Sequence, residues 1–253
     1  MAGRRTRGAR PPSTASRHFL RAEALAAELV RDAGVGPNDL VLDLGAGTGR
    51  LTGPLARAAR RVIAVELDAA LAASLRGRWP NVEVLEGDAA QVRLPTAPFR
   101  VVANLPFSRT NDLLHLLLDD PRTPLIRADL IVEWGVAVKR ALPWPSSVSS
   151  VVWGARYETA LTRRLPRAVF DPPPSVDTGV LVFRRRAVPL ITPDAASSYH
   201  AFVAGGFRHG LHSVGVRMQP GTFARDLDPH QWANLFDSGS TSARRAHTRR
   251  APT

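Results

Sequence analysis

The sequence of 253 residues contains no cysteine, which excludes disulfides, thiolate zinc sites and cysteine nucleophiles. Lysine is almost missing as well: Lys139 is the only one. No apolar run is long enough to span a bilayer. The basic N-terminus is not followed by the continuous apolar core of a secretory signal, so a soluble, cytoplasmic protein without membrane partners is expected. Acidic residues are missing from both ends. Residues 1–22 carry six arginines and no acid, and the stretch after Asp237 carries Arg244, Arg245, Arg249 and Arg250, again with no acid. These ten arginines account for ten of the twelve net positive charges, leaving a nearly balanced body. Basic ends rich in Pro, Gly, Ser and Thr read as flexible arms that meet a polyanion. Arginine grips phosphate in a two-pronged fork and stacks on bases, which fits RNA.

Apolar residues make up 44% of the chain, enough for a sizeable core. A helix is expected from Phe19 to Arg31, ending at Gly34 and Gly36. Short apolar runs then alternate with helical patterns. Leu40–Leu44, Arg61–Glu66, Val82–Leu85, the run ending at Asn104 and Leu125–Glu133 read as strands. Helices are expected after the glycines that follow Leu44, from Asp68, and from about Arg109 to Leu118. This alternation predicts a doubly wound, mostly parallel sheet with helices on both faces. Val151–Leu165 and Val176–Arg185 read as two further strands joined by a stiff corner, Phe170-Asp171-Pro172-Pro173-Pro174. From Thr192 onward the signals are helical, with Tyr199, Phe202, Phe207, Leu211, Trp232, Leu235 and Phe236 as core residues. The expected organisation is a basic arm (1–17), a catalytic α/β domain (18–188), a small helical domain (189–237) and a basic flexible tail (238–253).

The chemistry gathers at strand ends. Asp43-Leu44-Gly45-Ala46-Gly47-Thr48-Gly49 is a glycine-rich turn from strand to helix, where the backbone can approach a ligand closely. Its Gly-x-Gly-x-Gly spacing is tighter than the dinucleotide fingerprint and suits S-adenosylmethionine, which has no phosphate. Glu66 ends the next strand, where an acid can accept hydrogen bonds from both ribose hydroxyls. Asp88 ends the third, where a carboxylate can take an adenine amino group. Asn104-Leu105-Pro106-Phe107 closes the fourth. The Asn104 side-chain oxygen and a neighbouring backbone carbonyl can accept two N–H bonds from a planar amine while Phe107 stacks on the base that carries it.

These motifs, together with Val65-Glu66-Leu67-Asp68, Glu86-Gly87-Asp88-Ala89 and the segment Phe170 to Asp177, resemble the adenine-N6 rRNA methyltransferases. That family holds the Erm macrolide-resistance enzymes and the KsgA-type small-subunit dimethyltransferases. The resemblance runs from Ser16 to Phe236 and implies a class I methyltransferase fold, Rossmann-like, with a seven-stranded sheet and a small C-terminal helical domain. It implies S-adenosylmethionine as cofactor, held by His18, Leu20, Gly45, Ala46, Gly47, Glu66, Leu67, Asp88, Ala89 and Asn104. Catalysis would fall to Asn104, Leu105, Pro106 and Phe107, without a metal. Rather than the family's usual Ser-Gln-Asn-Phe, this chain has Ser16-Arg17-His18-Phe19, so a role of that Asn amide does not transfer to His18.

Leu130–Arg140, Val180–Arg186 and the short helical C-terminus resemble the Erm branch. The implied substrate is one adenine of 23S rRNA, free or in a pre-ribosomal intermediate, bound by a monomer through the basic arms and Arg109, Arg163, Arg164 and Arg208. The competing readings are a small-subunit dimethyltransferase, a DNA adenine methyltransferase and a non-catalytic RNA-binding assembly factor. A pure binder would not need the Asn104–Phe107 geometry. The number of methyl groups added is left open.

Overall fold

The structure, a computed structural model, describes residues 18–141, 146–216, 219 and 221–248. The expected arm 1–17 therefore lies outside the described residues. Nine strands are described: β1 (Phe19–Leu20), β2 (Leu40–Leu44), β3 (Arg61–Glu66), β4 (Val82–Glu86), β5 (Phe99–Asn104), β6 (Leu125–Glu133), β7 (Tyr157–Leu165), β8 (Phe170–Asp171) and β9 (Thr178–Arg185). The helices among them are α1 (Glu23–Asp32), α2 (Thr52–Ala58), α3 (Ala69–Leu75), α4 (Thr110–Leu118), α5 (Trp134–Ala141), α6 (Val148–Gly154), α7 (Ala196–His209) and α8 (Pro229–Thr248).

Seven strands form one sheet in the order β4-β3-β2-β5-β6-β9-β7, and β1 pairs with β8 in a separate two-stranded ribbon. The first five strands of the sheet are parallel, whereas β9 runs antiparallel to both β6 and β7. Strand order reverses between β2 and β5: the chain leaves β2 toward β3 and β4, and leaves β5 toward β6. In such a sheet a crevice opens beyond the carboxyl ends of the two strands at the reversal.

The pleat sends alternate side chains into two cores. Leu40, Leu42 and Leu44 of β2 and Val101 and Ala103 of β5 pack with Leu113, Leu114, Leu117 and Leu118 of α4. Val41 and Val102 point the other way, against Ala26, Leu29 and Val30 of α1 and Leu55 of α2. A third cluster joins α6, α7 and α8 through Val151, Tyr199, Val203 and Trp232.

Several sequence expectations shift. Phe19–Leu20 is strand, not helix, because it pairs with Phe170–Asp171. The run expected as strand from Val151 opens instead as α6, whose N-cap Ser147 accepts a hydrogen bond from Ser150 N–H, and β7 starts at Tyr157. α6 contributes Val151 to the helical cluster and Trp153 to the main core, so it bridges the two proposed domains. The tail expected from residue 238 begins inside α8, which runs to Thr248; no proline interrupts the backbone there.

Trp153 is 1% exposed and donates its indole N–H to Asp119 Oδ1 at 2.9 Å. Trp153→Ala should cost about 3–5 kcal/mol in urea unfolding, whereas Val188→Ala, at a site 79% exposed, should stay within about 0.5 kcal/mol. Equal, small losses at both positions would contradict the role given to α6.

Candidate active site

The crevice beyond β2 and β5 is a cleft of about 840 Å³ including its open mouth. Its glycine loop takes its shape from two backbone bonds: Gly45 N–H and Ala46 N–H both donate to the Val65 carbonyl, at 2.8 and 3.0 Å. Gly45 and Gly47 have φ of +82° and +56°, a region that side chains with a Cβ rarely adopt. A Cβ on Gly47 would lie 2.6 Å from the Phe19 ring, and one on Gly45 would lie 3.1 Å from Pro106. The missing side chains thus let β1 and the Asn104 turn close onto the loop.

Glu66, 7% exposed, sits at the end of β3. Its Oε2 accepts from Gly47 N–H at 2.7 Å and its Oε1 from Asp68 N–H at 2.8 Å. Each carboxylate oxygen keeps a second lone pair, so the carboxylate is aimed and can still accept two hydroxyls. Asp68 caps α3, accepting from Ala70 and Leu71 N–H. Asp88 Oδ1 accepts from Ala90 N–H at 2.9 Å, and its Oδ2 accepts from Arg109 Nη2 at 2.9 Å.

At the end of β5, Asn104 Nδ2 donates to the His18 carbonyl at 2.6 Å. That bond fixes which way the amide faces. It leaves Asn104 Oδ1 buried and without a hydrogen-bond partner among the described residues. An orphaned buried acceptor costs free energy unless something supplies a donor. The Leu105 N–H is tied to the Ile131 carbonyl at 3.1 Å. The Phe107 ring lies 5.3 Å from the His18 ring at 30°, and His18 Nδ1 is 2.9 Å from the Pro172 carbonyl. Aromatic rings, an oriented acceptor and two aimed carboxylates, Glu66 and Asp88, fit a ligand with hydroxyl and amino groups.

The cleft brings together most of the expected residues: His18, Gly45, Gly47, Glu66, Leu67, Asp88, Ala89, Arg109 and the turn Asn104–Phe107. Leu20 and Ala46 fall instead on a smaller adjoining hollow beneath the loop, with buried side chains. Arg109 is held by Asp88 and by Asp112, whose Oδ2 is 3.2 Å from its Nε, rather than standing free. Arg163 and Arg164, expected to meet RNA, are likewise ion-paired. Arg163 pairs with Glu28 at 3.1 Å, and Arg164 pairs with Asp177 at 2.7 Å and lies over the Trp134 ring. Arg208 is exposed near the end of α7. Sequence reasoning passed over Phe19, Val65, Leu71, Ser108 and Leu113, which also line the cleft. Phe19 carried one usable signal, its place next to His18 in the segment matched to the family.

Asp43, 1% exposed, lines the adjoining hollow and accepts from the Thr52 hydroxyl at 2.7 Å. Burial pushes its carboxyl up to about 7, with the Thr52 bond opposing and Glu66 adding to the rise. A raised carboxyl stabilises the fold while protonated, so stability falls as pH climbs from the unfolded value near 4 to about 7 and is then level. Measured by denaturant unfolding across pH 4–8, the ligand-free protein should lose stability relative to Asp43→Asn over that interval; parallel curves would contradict the burial argument.

Residues 13–209 match the family described as ribosomal RNA adenine dimethylase. An rRNA methyltransferase of Streptomyces thermotolerans is 32% identical over 276 residues, covering 94% of this chain and 91% of that protein. The mycinamicin-resistance protein MyrB of Micromonospora griseorubida is 33% identical, covering 78% of this chain and 68% of its own. A probable ribosomal RNA small subunit methyltransferase A of Methanosarcina mazei is 34% identical, with coverages of 77% and 72%. The solved 23S rRNA methyltransferase ErmE superposes with a TM-score of 0.76 at 28% identity, covering 88% of this chain and 99% of that one. With the glycine loop, the acidic strand ends and the Asn-Leu-Pro-Phe turn converging on one cleft, the chain belongs to the ribosomal RNA adenine dimethylase family, the S-adenosylmethionine-dependent rRNA adenine-N6 methyltransferases.

Proposed function

We propose that the chain methylates the exocyclic N6 of one adenine in the peptidyl-transferase region of 23S rRNA, and that this modification confers resistance to macrolide-type antibiotics. The observation that carries the chemistry is Asn104 Oδ1, buried without a partner among the described residues and aimed by the His18 carbonyl. The mycinamicin-resistance relative and the superposition on ErmE support the 23S target, as do the Erm-like segments Leu130–Arg140 and Val180–Arg186.

S-adenosylmethionine, when bound, supplies a methyl group already activated by its sulfonium. The loop Gly45–Gly47 would hold its amino-acid end, Glu66 its ribose hydroxyls and Asp88 its adenine amine. Asn104 Oδ1 and the Leu105 carbonyl would accept the two N–H bonds of the target amine. The N6 lone pair of adenine is delocalised into the ring, which makes it a poor nucleophile. Two acceptors placed out of the ring plane favour a more pyramidal nitrogen and hold it in line for transfer. Phe107, with His18 beside it, would stack on the target base once it leaves the RNA stack. The amine proton departs to water after transfer, so no strong base is needed. The RNA backbone would meet the basic arms and Arg208. Arg163 and Arg164 contribute less in this arrangement, because phosphate would have to displace their carboxylate partners.

The Methanosarcina relative favours a second reading, a small-subunit rRNA dimethyltransferase. Methyl transfer from labelled S-adenosylmethionine to protein-free large- and small-subunit rRNA, with the modified nucleotide mapped, separates the two. Label at a single adenine of the peptidyl-transferase region is expected. Label at paired adenines of the small subunit would move the chain to the other branch, and label on neither RNA would overturn both.

A further inference from the structure

Asp88 faces two claims on one oxygen. Its Oδ1 is aimed by Ala90 N–H and its Oδ2 holds Arg109 Nη2 at 2.9 Å, so an adenine amine that binds at Oδ2 shares that oxygen with the guanidinium. The two side chains come from different walls of the cleft: Asp88 follows β4, and Arg109 follows the turn that ends β5. Both are only partly buried, at 26% and 42% exposure, so the pair is weak and readily exchanged. Arg109 has a second ion-pair contact, its Nε lying 3.2 Å from Asp112 Oδ2 in a geometry that makes no hydrogen bond. It can leave Asp88 without losing every partner.

Arg109 also sits two residues beyond Phe107, past the exposed Ser108. Among the described residues it is the one arginine lining the cleft. A phosphate flanking a base stacked on Phe107 would meet this guanidinium first. While Arg109 is held by Asp88, its charge is partly neutralised and drawn toward the cofactor end.

We propose that Arg109 is a positioning residue that couples the two sites: an adenine amine arriving at Asp88 Oδ2 releases the guanidinium toward the RNA. The inference rests on the reading of Asp88 as the cofactor's adenine acceptor. Cofactor binding then raises RNA affinity, and RNA raises cofactor affinity by the same factor. The order that follows is cofactor first and RNA second, which spares the enzyme from drawing a base into a cleft that cannot methylate it.

The test uses the full chain and S-adenosylhomocysteine, which fills the cofactor site without turnover. Without RNA, calorimetry should show Arg109→Gln binding it about two- to fivefold more tightly than the parent, the range expected when a half-exposed ion pair no longer competes. Saturating S-adenosylhomocysteine should tighten binding of protein-free large-subunit rRNA by no more than that same roughly two- to fivefold factor in the parent, and by a factor near one in Arg109→Gln. Arg109→Lys, which keeps the charge, should retain a measurable factor. Weaker S-adenosylhomocysteine binding by Arg109→Gln would make Arg109 a support for Asp88 and overturn the proposal, as would an unchanged coupling factor. The calorimetric arm needs no RNA, so it still decides if the 23S reading fails, and mapping of the methylated nucleotide tests that reading separately.

Discussion

One hydrogen bond, from Asn104 Nδ2 to the His18 carbonyl, sets the state of the cleft. It spends the donor half of the amide on the backbone and leaves the acceptor half facing the space where an amine must sit. Much of the surrounding architecture holds its two ends in place. β5 brings Asn104 to the crevice at the reversal of strand order, and Leu105 is tied to β6 through Ile131. His18 is held from the other side, because β1 pairs with β8 and the Phe19 ring rests on Gly47. A Cβ on either loop glycine would push these parts apart. The bond uses the backbone of residue 18, so it survives the replacement of the family's usual Asn by His; the imidazole adds a ring beside Phe107.

The acidic groups around the cleft fall into two kinds. Glu66 and Asp88 are aimed by backbone N–H groups and remain partly available at the cleft wall. Asp43 is sealed below the loop, where burial pushes it toward the protonated form. A cationic ligand group nearby would draw it back toward the carboxylate, because an opposite charge favours ionisation. The basic residues divide in a similar way. Arg163 and Arg164 are committed to carboxylates that brace α1 and the β7–β9 edge, whereas Arg109 reaches across the cleft to Asp88.

Among the parallel strands, β2, β3 and β5 were legible because strands buried on both faces read as near-continuous apolar runs that stop at glycine, acid or proline, whereas β4, half-exposed at the sheet edge, shows a shorter mixed run. The candidate site was legible for the same reason: many of the residues that line the cleft are the ones at those stops. The misreadings have physical causes. Val151, Val152 and Trp153 form an apolar run in a helix of seven residues, too short to show a helical period, and β-branched residues suggest strand. Phe19 and Leu20 become strand only through residues some 150 positions away. Ion pairing was hidden by the same distance, since Glu28 and Arg163 are 135 residues apart. Arg109 read as an RNA contact alone because nothing local reveals that α4 opens opposite Asp88.

The most direct measurement of the account is single-turnover methyl transfer by Asn104→Ala, with binding of rRNA and of S-adenosylhomocysteine followed in parallel. At saturating cofactor the account predicts a rate at least about a hundredfold lower, the usual cost of removing one preorganised polar group from a reacting centre, with rRNA affinity within about threefold of the parent and S-adenosylhomocysteine affinity lower, because the variant also loses the bond to the His18 carbonyl. A variant that transfers methyl groups at the parental rate would contradict the role assigned to Asn104 and, with it, the reading of the cleft.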